Sequence, residues 1–175
     1  PNVTVVGVVS ADLGLNVPDF RAGERTFQLL CQVAGRSGRG VNEGKVIVQS
    51  YQPDNYAITA AAAQDYPNFF EREISYRKEQ RNPPMNGLIQ LIHVHKNQAL
   101  CEKEARRFYL ELVNERDARG HSDIEIMGPI PAHPARLRGY YRWQLIVRSE
   151  TPRRFLDDVV IPNGWIVDVD PLFLT

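Results

Sequence analysis

The chain has 175 residues, of which 43% are hydrophobic, and its 21 basic and 21 acidic side chains give a formal net charge of zero. This content suffices for one substantial core or two small ones, and any affinity for nucleic acid must come from local patches and not from a global basic field. No apolar run is long enough to cross a bilayer, and no signal-peptide pattern opens the chain. Cys31 and Cys101 lack metal-ligand spacing, so we expect buried free thiols in a reducing compartment. The chain starts at Pro1, directly before a strand-like run, which we interpret as a fragment of a longer protein.

Residues 1–52 predict a strand, a helix and a second strand. Two β-branched runs are typical of strands buried on both faces, as in a parallel sheet: 3–9 and 45–49. Residues 10–22 predict a loop, and an amphipathic helix follows over 24–33 with Phe27, Leu30 and Cys31 on its apolar face. This order predicts a right-handed βαβ unit, which cannot be a domain alone. We therefore expect that this unit has exposed strand edges and that it either packs against the following helices or self-associates.

Residues 53–87 predict a helical connector. Its two helices span about 54–64 and 65–80, and the second begins at the N-cap Asp65 and ends before Pro83 and Pro84. Apolar surface on the second helix comes from four residues: Phe69, Phe70, Ile74 and Tyr76. A mixed-charge exposed face is predicted from six others: Glu71, Arg72, Glu73, Arg77, Lys78 and Glu79.

Residues 88–175 predict a second kind of domain. Strands are expected at four places: 88–94, 124–127, 140–147 and 165–169. One helix, over 98–116, carries an apolar stripe, and Thr151 caps another that starts at Pro152. The order βαββαβ matches a ferredoxin-like split βαβ sandwich. The predicted fold class is therefore α/β followed by α+β.

The loop between the second and third of these strands carries a basic and aromatic segment, 132–143. The segment contains no acid. Its arginines are interleaved with aromatic residues: Arg136, Arg138, Tyr140, Tyr141, Arg142 and Trp143. Arginine neutralises phosphates and aromatic faces stack on unpaired bases, so this segment is the best local candidate for a single-stranded nucleic-acid surface. The alternative is a hairpin loop whose aromatic residues alternate into the core while its arginines are merely solvated.

Histidine and carboxylate pairs are weaker features. His93 and His95 share a strand face like a metal pair, but no third ligand is apparent and ordinary strand histidines are favoured. Asp168 and Asp170 likewise resemble a carboxylate pair, for which we favour a solvated or salt-bridged strand end. Asp12 lies where α/β sites open, although capping the following turn is its simpler role.

The segment from Gln32 to Arg39, Gln-Val-Ala-Gly-Arg-Ser-Gly-Arg, places two arginines three residues apart just beyond a helix. Both guanidinium groups can bind phosphate through two donors, and the glycines allow close backbone approach. The alternative is an Arg/Gly-rich helix exit on a solvated face.

This segment resembles motif six of superfamily-two helicases. The flanking segment 18–30, with Pro83-Pro84 and three blocks nearer the C-terminus, resembles the replication-restart helicase family called primosomal protein N-prime; the three blocks are 127–132, 142–144 and 167–171. The resemblance implies a partial RecA-like lobe over 1–52, a connector over 53–87 and a C-terminal DNA-binding domain over 88–175.

The resemblance also implies roles for particular residues. Gln32, Gly35, Arg36 and Arg39 would face ATP and Mg²⁺ bound against the other lobe, with Arg39 as the arginine finger and Arg36 as a second phosphate contact. Family members unwind DNA in the 3′ to 5′ direction, and their C-terminal domain helps to bind branched DNA. The implied partners are branched and single-stranded DNA, primosome proteins, the replicative helicase loader and single-strand-binding protein, in the cytoplasm at the nucleoid.

The chain lacks the family's phosphate loop, its Asp-Glu-x-His box and its cysteine-rich zinc module. We therefore expect that it binds no cofactor and has no ATPase or helicase activity by itself. The alternative function is a non-catalytic module for DNA binding and primosome docking, in a parent protein whose helicase core is degenerate.

Overall fold

A computed structural model describes residues 4–35 and 44–174 of the chain. The chain divides into two compact units, Pro1–Glu79 and Gln80–Thr175. Both units combine helices with strands, so the expected mixture of α and β structure is confirmed. Within the described residues, no helix is both long and apolar enough to cross a membrane.

The described residues of the first unit form two strands and four helices. In chain order they are β1 (Val5–Val8), α1 (Asp12–Leu15), α2 (Ala22–Ala34), β2 (Lys45–Val48), α3 (Tyr56–Ala63) and α4 (Tyr66–Glu79). β1 and β2 pair in parallel, with Val5 opposite Lys45 and Val8 opposite Val48. The predicted parallel pairing is thus confirmed, whereas the predicted loop over 10–22 contains the short helix α1.

The two strands are not buried on both faces within the described residues. Val5 and Ile47 are 57% and 54% exposed, while Val8 and Val48 pack against the core of the unit. The strands therefore bury only the face that meets the helices, because one helical layer covers them.

Helix packing forms the core of the first unit. Phe27 of α2 and Phe69 of α4 stack with ring centroids 4.1 Å apart and planes 11° from parallel. The start of α4 is capped as predicted, since Asp65 Oδ1 accepts a hydrogen bond from the Asn68 amide at 3.1 Å. Asn55 caps α3 in the same manner through the Ala57 amide.

The mixed-charge face predicted on α4 is wrong for two of its members. Glu73 is 5% exposed, and its carboxylate accepts hydrogen bonds from the Tyr56 hydroxyl and from Arg77. The Arg77 side chain is 12% exposed and also reaches Glu24 of α2. The two charged side chains are buried because α2 and α3 supply polar partners for them.

In the second unit, residues 80–174 are described and form four strands and two helices. In chain order they are β3 (Gly87–His95), α5 (Gln98–Ala118), β4 (Glu125–Leu137), β5 (Tyr140–Ser149), α6 (Pro152–Asp157) and β6 (Trp165–Val169). The sheet order is β4-β5-β3-β6, and every neighbouring pair is antiparallel. The predicted order of elements, βαββαβ, is confirmed.

The core of this unit lies between the sheet and its helices. Ile89 and Leu91 of β3 and Leu145 of β5 are fully buried against α5 and α6. The predicted stripe on α5 is confirmed, since its four members have no exposed surface: Cys101, Ala105, Phe108 and Leu112. Both cysteines are free thiols, with Cys101 buried and Cys31 half-buried.

Two local predictions in this unit are wrong. β4 was expected to end at Met127 but continues to Leu137, with register shifts that absorb its prolines. Proline is tolerated there because β4 is an edge strand of the sheet. Thr151 precedes α6, but its side chain makes no capping bond, and its amide instead donates to the Ser149 hydroxyl.

Candidate nucleic-acid and nucleotide interfaces

The predicted nucleotide-binding segment begins in α2. Gln32 lies exposed on its last turn, and the amide of Gly35, which comes directly after the helix, donates to the Cys31 carbonyl oxygen at 3.0 Å. Arg36 and Arg39 lie outside the described residues. The structure therefore locates the helix from which the segment starts, and the arginine roles stay predictions.

The basic and aromatic segment forms a β-hairpin. Leu137 pairs with Tyr140, so the turn consists of Arg138 and Gly139 alone. Their φ angles are 50° and 86°, the positive values that a type I′ turn requires at both central positions. The predicted loop is thus a two-residue turn on an extended arm, and Arg138 lies exposed at its tip.

Cation–π contacts and hydrogen bonds order the arm. The Arg136 guanidinium lies 5.1 Å from the ring centroid of Tyr141. The Arg142 guanidinium donates to the carbonyl oxygens of His133 and Pro134, both at 3.3 Å, and so joins β5 to β4. Both arginines are thereby held near the hairpin while keeping donors for a ligand.

Two aromatic residues of the arm, Tyr140 and Trp143, have different environments. Tyr140 is 40% exposed, and Lys96 Nζ lies 5.6 Å from its ring centroid. Trp143 is only 9% exposed because it packs with Cys101 and Ala105 of α5. Tyr140 is thus available for stacking, whereas Trp143 contributes to the core.

The arginines of this hairpin and those of α5 differ in whether they form ion pairs with acids. Every arginine of α5 forms an ion pair with a carboxylate at 2.8 Å: Arg106 with Glu102, Arg107 with Glu104, and Arg116 with Asp117. In the described part of the chain, no carboxylate lies within ion-pair distance of Arg136, Arg138 or Arg142. Residues 126–149 contain no Asp or Glu at all. The hairpin therefore concentrates positive charge on a chain whose net charge is zero.

The histidine pair lies on β3. The ring centroids of His93 and His95 are 6.4 Å apart, and the amide of Asn97 donates to His95 Nδ1. His93 is buried beside Trp165, and burial lowers its pKa. Within the described residues, no group of three or more His, Cys, Asp or Glu side chains is placed to hold a metal ion.

The carboxylate predictions require two corrections. Asp168 is exposed on β6 opposite Gln90, but β6 ends at Val169 and Asp170 has a φ of 51°, so the two aspartates do not share a strand face. Asp12 does not cap the following turn. It lies buried in α1, and its carboxylate accepts hydrogen bonds from the Ser50 hydroxyl at 2.8 Å and the Tyr51 amide. Asp12 therefore ties α1 to the segment after β2.

Comparisons with known proteins agree on one family. The model of the primosomal protein N C-terminal domain matches residues 78–172. Replication restart protein PriA of Bacillus subtilis is 39% identical over 150 residues, which are 85% of this chain and 18% of that protein. Its counterpart in Rickettsia felis is 38% identical over 180 residues, which are 98% of this chain and 27% of that protein. The chain belongs to the PriA family.

This membership confirms the resemblance to primosomal protein N-prime. The PriA protein of Treponema pallidum is 34% identical over 181 residues, so similarity extends across both units and beyond the C-terminal domain. The chain spans 18% to 27% of the length of these three PriA relatives.

Sequence reasoning missed two groups of residues in this PriA-family chain. Lys96 lies directly after β3, and the antiparallel pairing of β3 with β5 brings its side chain next to the Tyr140 ring of the hairpin. The buried polar cluster of the first unit joins residues up to 53 positions apart, through Arg77 and Glu24. The short spacing of Glu73 and Arg77 was the available signal, but it is also typical of a surface pair.

Proposed function

We propose that this chain is the C-terminal part of a cytoplasmic replication-restart DNA helicase and that its second unit binds branched or single-stranded DNA through the β4–β5 hairpin. Membership of the PriA family supports the first part. The observation that carries the second part is the hairpin itself, an acid-free arm whose arginines have no carboxylate partner among the described residues.

The basic and aromatic side chains of the hairpin have different roles in DNA binding. Arg136, Arg138 and Arg142 bind phosphate oxygens. Guanidinium groups without a local carboxylate are available for this contact, which releases the cations condensed on the nucleic acid. Tyr140 offers exposed ring surface to unpaired bases. Tyr141 is half-buried against the Cys101 and Trp143 cluster and supports the surface by holding the Arg136 guanidinium over its ring. Trp143, which the sequence grouped with them, anchors β5 against α5 and supports the surface from below.

The first unit has a different role. We assign Gln32, Gly35, Arg36 and Arg39 to the ATP-facing edge of a RecA-like lobe over 1–52, with Arg39 as the arginine finger in 3′ to 5′ unwinding. The parallel β1–β2 pair and α2 support this assignment. ATP and Mg²⁺ would be held mainly by a lobe outside this chain, and zinc by a further module of the longer protein. Primosome proteins, the helicase loader and single-strand-binding protein would be its partners.

The sheet order supports a ferredoxin-like domain over 88–175. In that arrangement the two central strands are the first and third of the domain, as β3 and β5 are here. The connector over 53–87 would then link this domain to the lobe.

DNA binding is tested by fluorescence anisotropy of the chain with forked, single-stranded and duplex DNA across a salt series. Replacing Arg136 and Arg138 together with alanine removes two phosphate contacts, so the slope of log affinity against log salt should fall by about 1.4 for single strands. The matched control replaces Arg106 and Arg107, which removes the same charge from α5. We expect the control to keep the wild-type slope.

Failure to bind any of these DNAs at low salt would overturn the proposed DNA interface. An equal loss in both double variants would show that only net charge matters and would contradict the role of the hairpin.

The nucleotide role is tested in the longer protein that carries this chain. Arg39→Ala should abolish DNA-stimulated ATP hydrolysis and leave DNA affinity largely intact, because an arginine finger contributes about 10³ to 10⁵ in rate. Retained hydrolysis in Arg39→Ala would overturn the arginine-finger role. A wild-type protein that does not hydrolyse ATP would favour the alternative, a non-catalytic module for DNA binding and primosome docking.

A further inference from the structure

A buried polar cluster joins the three longer helices of the first unit. Glu73 of α4 accepts hydrogen bonds from the Tyr56 hydroxyl of α3 at 2.6 Å and from Arg77 Nε at 2.7 Å. Arg77 Nη2 then reaches Glu24 of α2 at 2.6 Å. Burial and the hydrogen bond to Glu73 raise the pKa of Tyr56, so its hydroxyl stays a proton donor at neutral pH. The cluster therefore links α2, α3 and α4 through directional bonds.

The absence of a side chain at Gly23 allows α2 to approach this cluster. A Cβ atom at that position would lie 2.6 Å from the Tyr56 hydroxyl oxygen and 3.0 Å from Glu73 Oε2. Both distances are shorter than van der Waals contact, so even an alanine would force either α2 or the hydrogen-bonded side chains of Tyr56 and Glu73 to shift. The cluster thus fixes the position of α2 at its first turn.

Burying charge in this way is a poor means of gaining stability. Well-packed apolar side chains of the same volume are generally as stabilising as a buried ion pair, because desolvation offsets the attraction between the charges. Hydrogen bonds with fixed lengths and angles do, however, specify one geometry where apolar packing tolerates several. Geometry is therefore what this cluster contributes, and α2 is the element whose geometry it sets.

The position of α2 matters because the nucleotide-binding segment starts in the last turn of this helix. Gln32 lies about 13 Å along the helix from Gly23, at 1.5 Å per residue, so a tilt of about 5° at Gly23 moves Gln32 by roughly 1 Å. Gln32 and the cluster residues Glu24 and Arg77 also line the same groove between α2 and α4, of about 570 Å³. A change at the cluster is thus transmitted along one helix to the start of the nucleotide-binding segment.

We propose that Tyr56, Glu73 and Arg77 are positioning residues that, with Gly23, align α2 and so set the position of Gln32 and Gly35, with which the nucleotide-binding segment starts, for ATP hydrolysis. This inference rests on the proposed function. In this role the residues act through the position of α2. A displacement of about 1 Å in a group that stabilises the transition state can cost about 10²-fold in rate.

The test measures DNA-stimulated ATP hydrolysis by the longer protein, at a temperature where circular dichroism shows each variant to be fully folded. Gly23→Ala should lower kcat at least about 10-fold while KM for ATP changes less than about 2-fold, because the affected contact acts mainly in the transition state. Tyr56→Phe should have a smaller effect. The double variant should recover a substantial part of the kcat lost in Gly23→Ala, since it removes the oxygen that the new Cβ meets.

Gly7→Ala is the matched control, because a Cβ at Gly7 in β1 meets no atom of the described residues within 4 Å. It should keep the wild-type kcat. A wild-type kcat in folded Gly23→Ala, or the absence of recovery in the double variant, would overturn the positioning role, whatever happens to thermal stability.

Arg39→Ala in the same assay separates the two proposals. If it abolishes hydrolysis while Gly23→Ala does not lower kcat, only the positioning role fails. If the wild-type protein does not hydrolyse ATP, or if Arg39→Ala retains full activity, the proposed function fails and the positioning role fails with it.

Discussion

Replacing Arg77 with alanine should destabilise the helices of the first unit strongly. The Arg77 and Glu73 side chains are only 12% and 7% exposed, and they meet at 2.7 Å. Removing Arg77 leaves the Glu73 carboxylate buried, with the Tyr56 hydroxyl still donating a hydrogen bond to it. A buried charge that loses its counter-ion is far more costly than a solvated ion pair that separates.

The magnitude is worked from the ion pairs of Arg77 with Glu73 and with Glu24. Removing one partner of a buried pair costs about 3 to 5 kcal/mol, and we expect the lower end, because the Tyr56 hydroxyl still donates to Glu73. The second pair, with Glu24, adds less than about 1 kcal/mol, since the Glu24 side chain is 36% exposed. The free energy of opening should therefore fall by about 3 kcal/mol, which is a factor of roughly 10² in the opening equilibrium.

Hydrogen exchange detected by mass spectrometry measures this opening in peptides from α2 and α4. The control is Arg72→Ala, which removes the same charge from an exposed site on α4. Amide protection in Arg77→Ala should fall about 10² below that of the control, provided that closing is faster than exchange. The apolar double substitution Glu73→Leu with Arg77→Met should restore most of the protection. A loss within about 5-fold of the control, equivalent to about 1 kcal/mol, would refute the argument that the pair is desolvated.

Two further predictions concern the second unit. Burial lowers the pKa of His93, so the unfolded chain binds more protons than the folded chain as pH falls below about 6.5. The free energy of unfolding should therefore decrease with falling pH, relative to that of His93→Phe. Urea titration between pH 7.5 and 5 measures both proteins. Parallel pH profiles for the two proteins would contradict this. Phe108→Ala should cost about 3 to 5 kcal/mol of unfolding free energy, because the ring is fully buried. Leu110→Ala on the same helix, at a site 58% exposed, should cost far less, and equal costs would be inconsistent with the packing of α5.

Hydrophobic periodicity was sufficient to predict which residues are buried in an element that packs against the core with one face. The α5 stripe was predicted correctly because every third or fourth residue is apolar, and its members Phe108 and Leu112 reach the core. β4 was predicted too short because Pro129 and Pro131 are normally strand breakers. An edge strand escapes that rule, but position in a sheet is a property of the whole fold and not of the local sequence.

The hairpin was predictable in composition but not in exposure. Alternation along β5 placed Tyr141 and Trp143 on one face and Tyr140 and Arg142 on the other. Which face is covered depends on α5, which lies on the Trp143 side through Cys101 and Ala105. The sequence therefore identified the residues of the surface, and only the packing of α5 separated the exposed ring of Tyr140 from the buried ring of Trp143.

The cluster around Glu73 was not predictable for a related reason. Glu73 and Arg77 are four residues apart in a charge-rich helix, which is the ordinary spacing of a solvated pair. Their burial depends on Gly23 and Tyr56, which lie 50 and 17 residues away from Glu73 and have no recognisable relation to it in the sequence.

Net charge conceals how charge is distributed in this chain. The arginines of α5 are neutralised locally, because a helix brings side chains three and four residues apart together and acids occupy those positions. The arm of the β4–β5 hairpin cannot neutralise its arginines Arg136, Arg138 and Arg142 in this way, since residues 126–149 contain no acid. Arg148, at the other end of β5, does pair with Glu125 at 2.7 Å. A neutral chain thus carries a concentrated positive surface on its hairpin. Binding of a polyanion at that surface should depend on salt as strongly as in a basic protein with the same number of phosphate contacts, because counterion release depends on the contacts made and not on net charge.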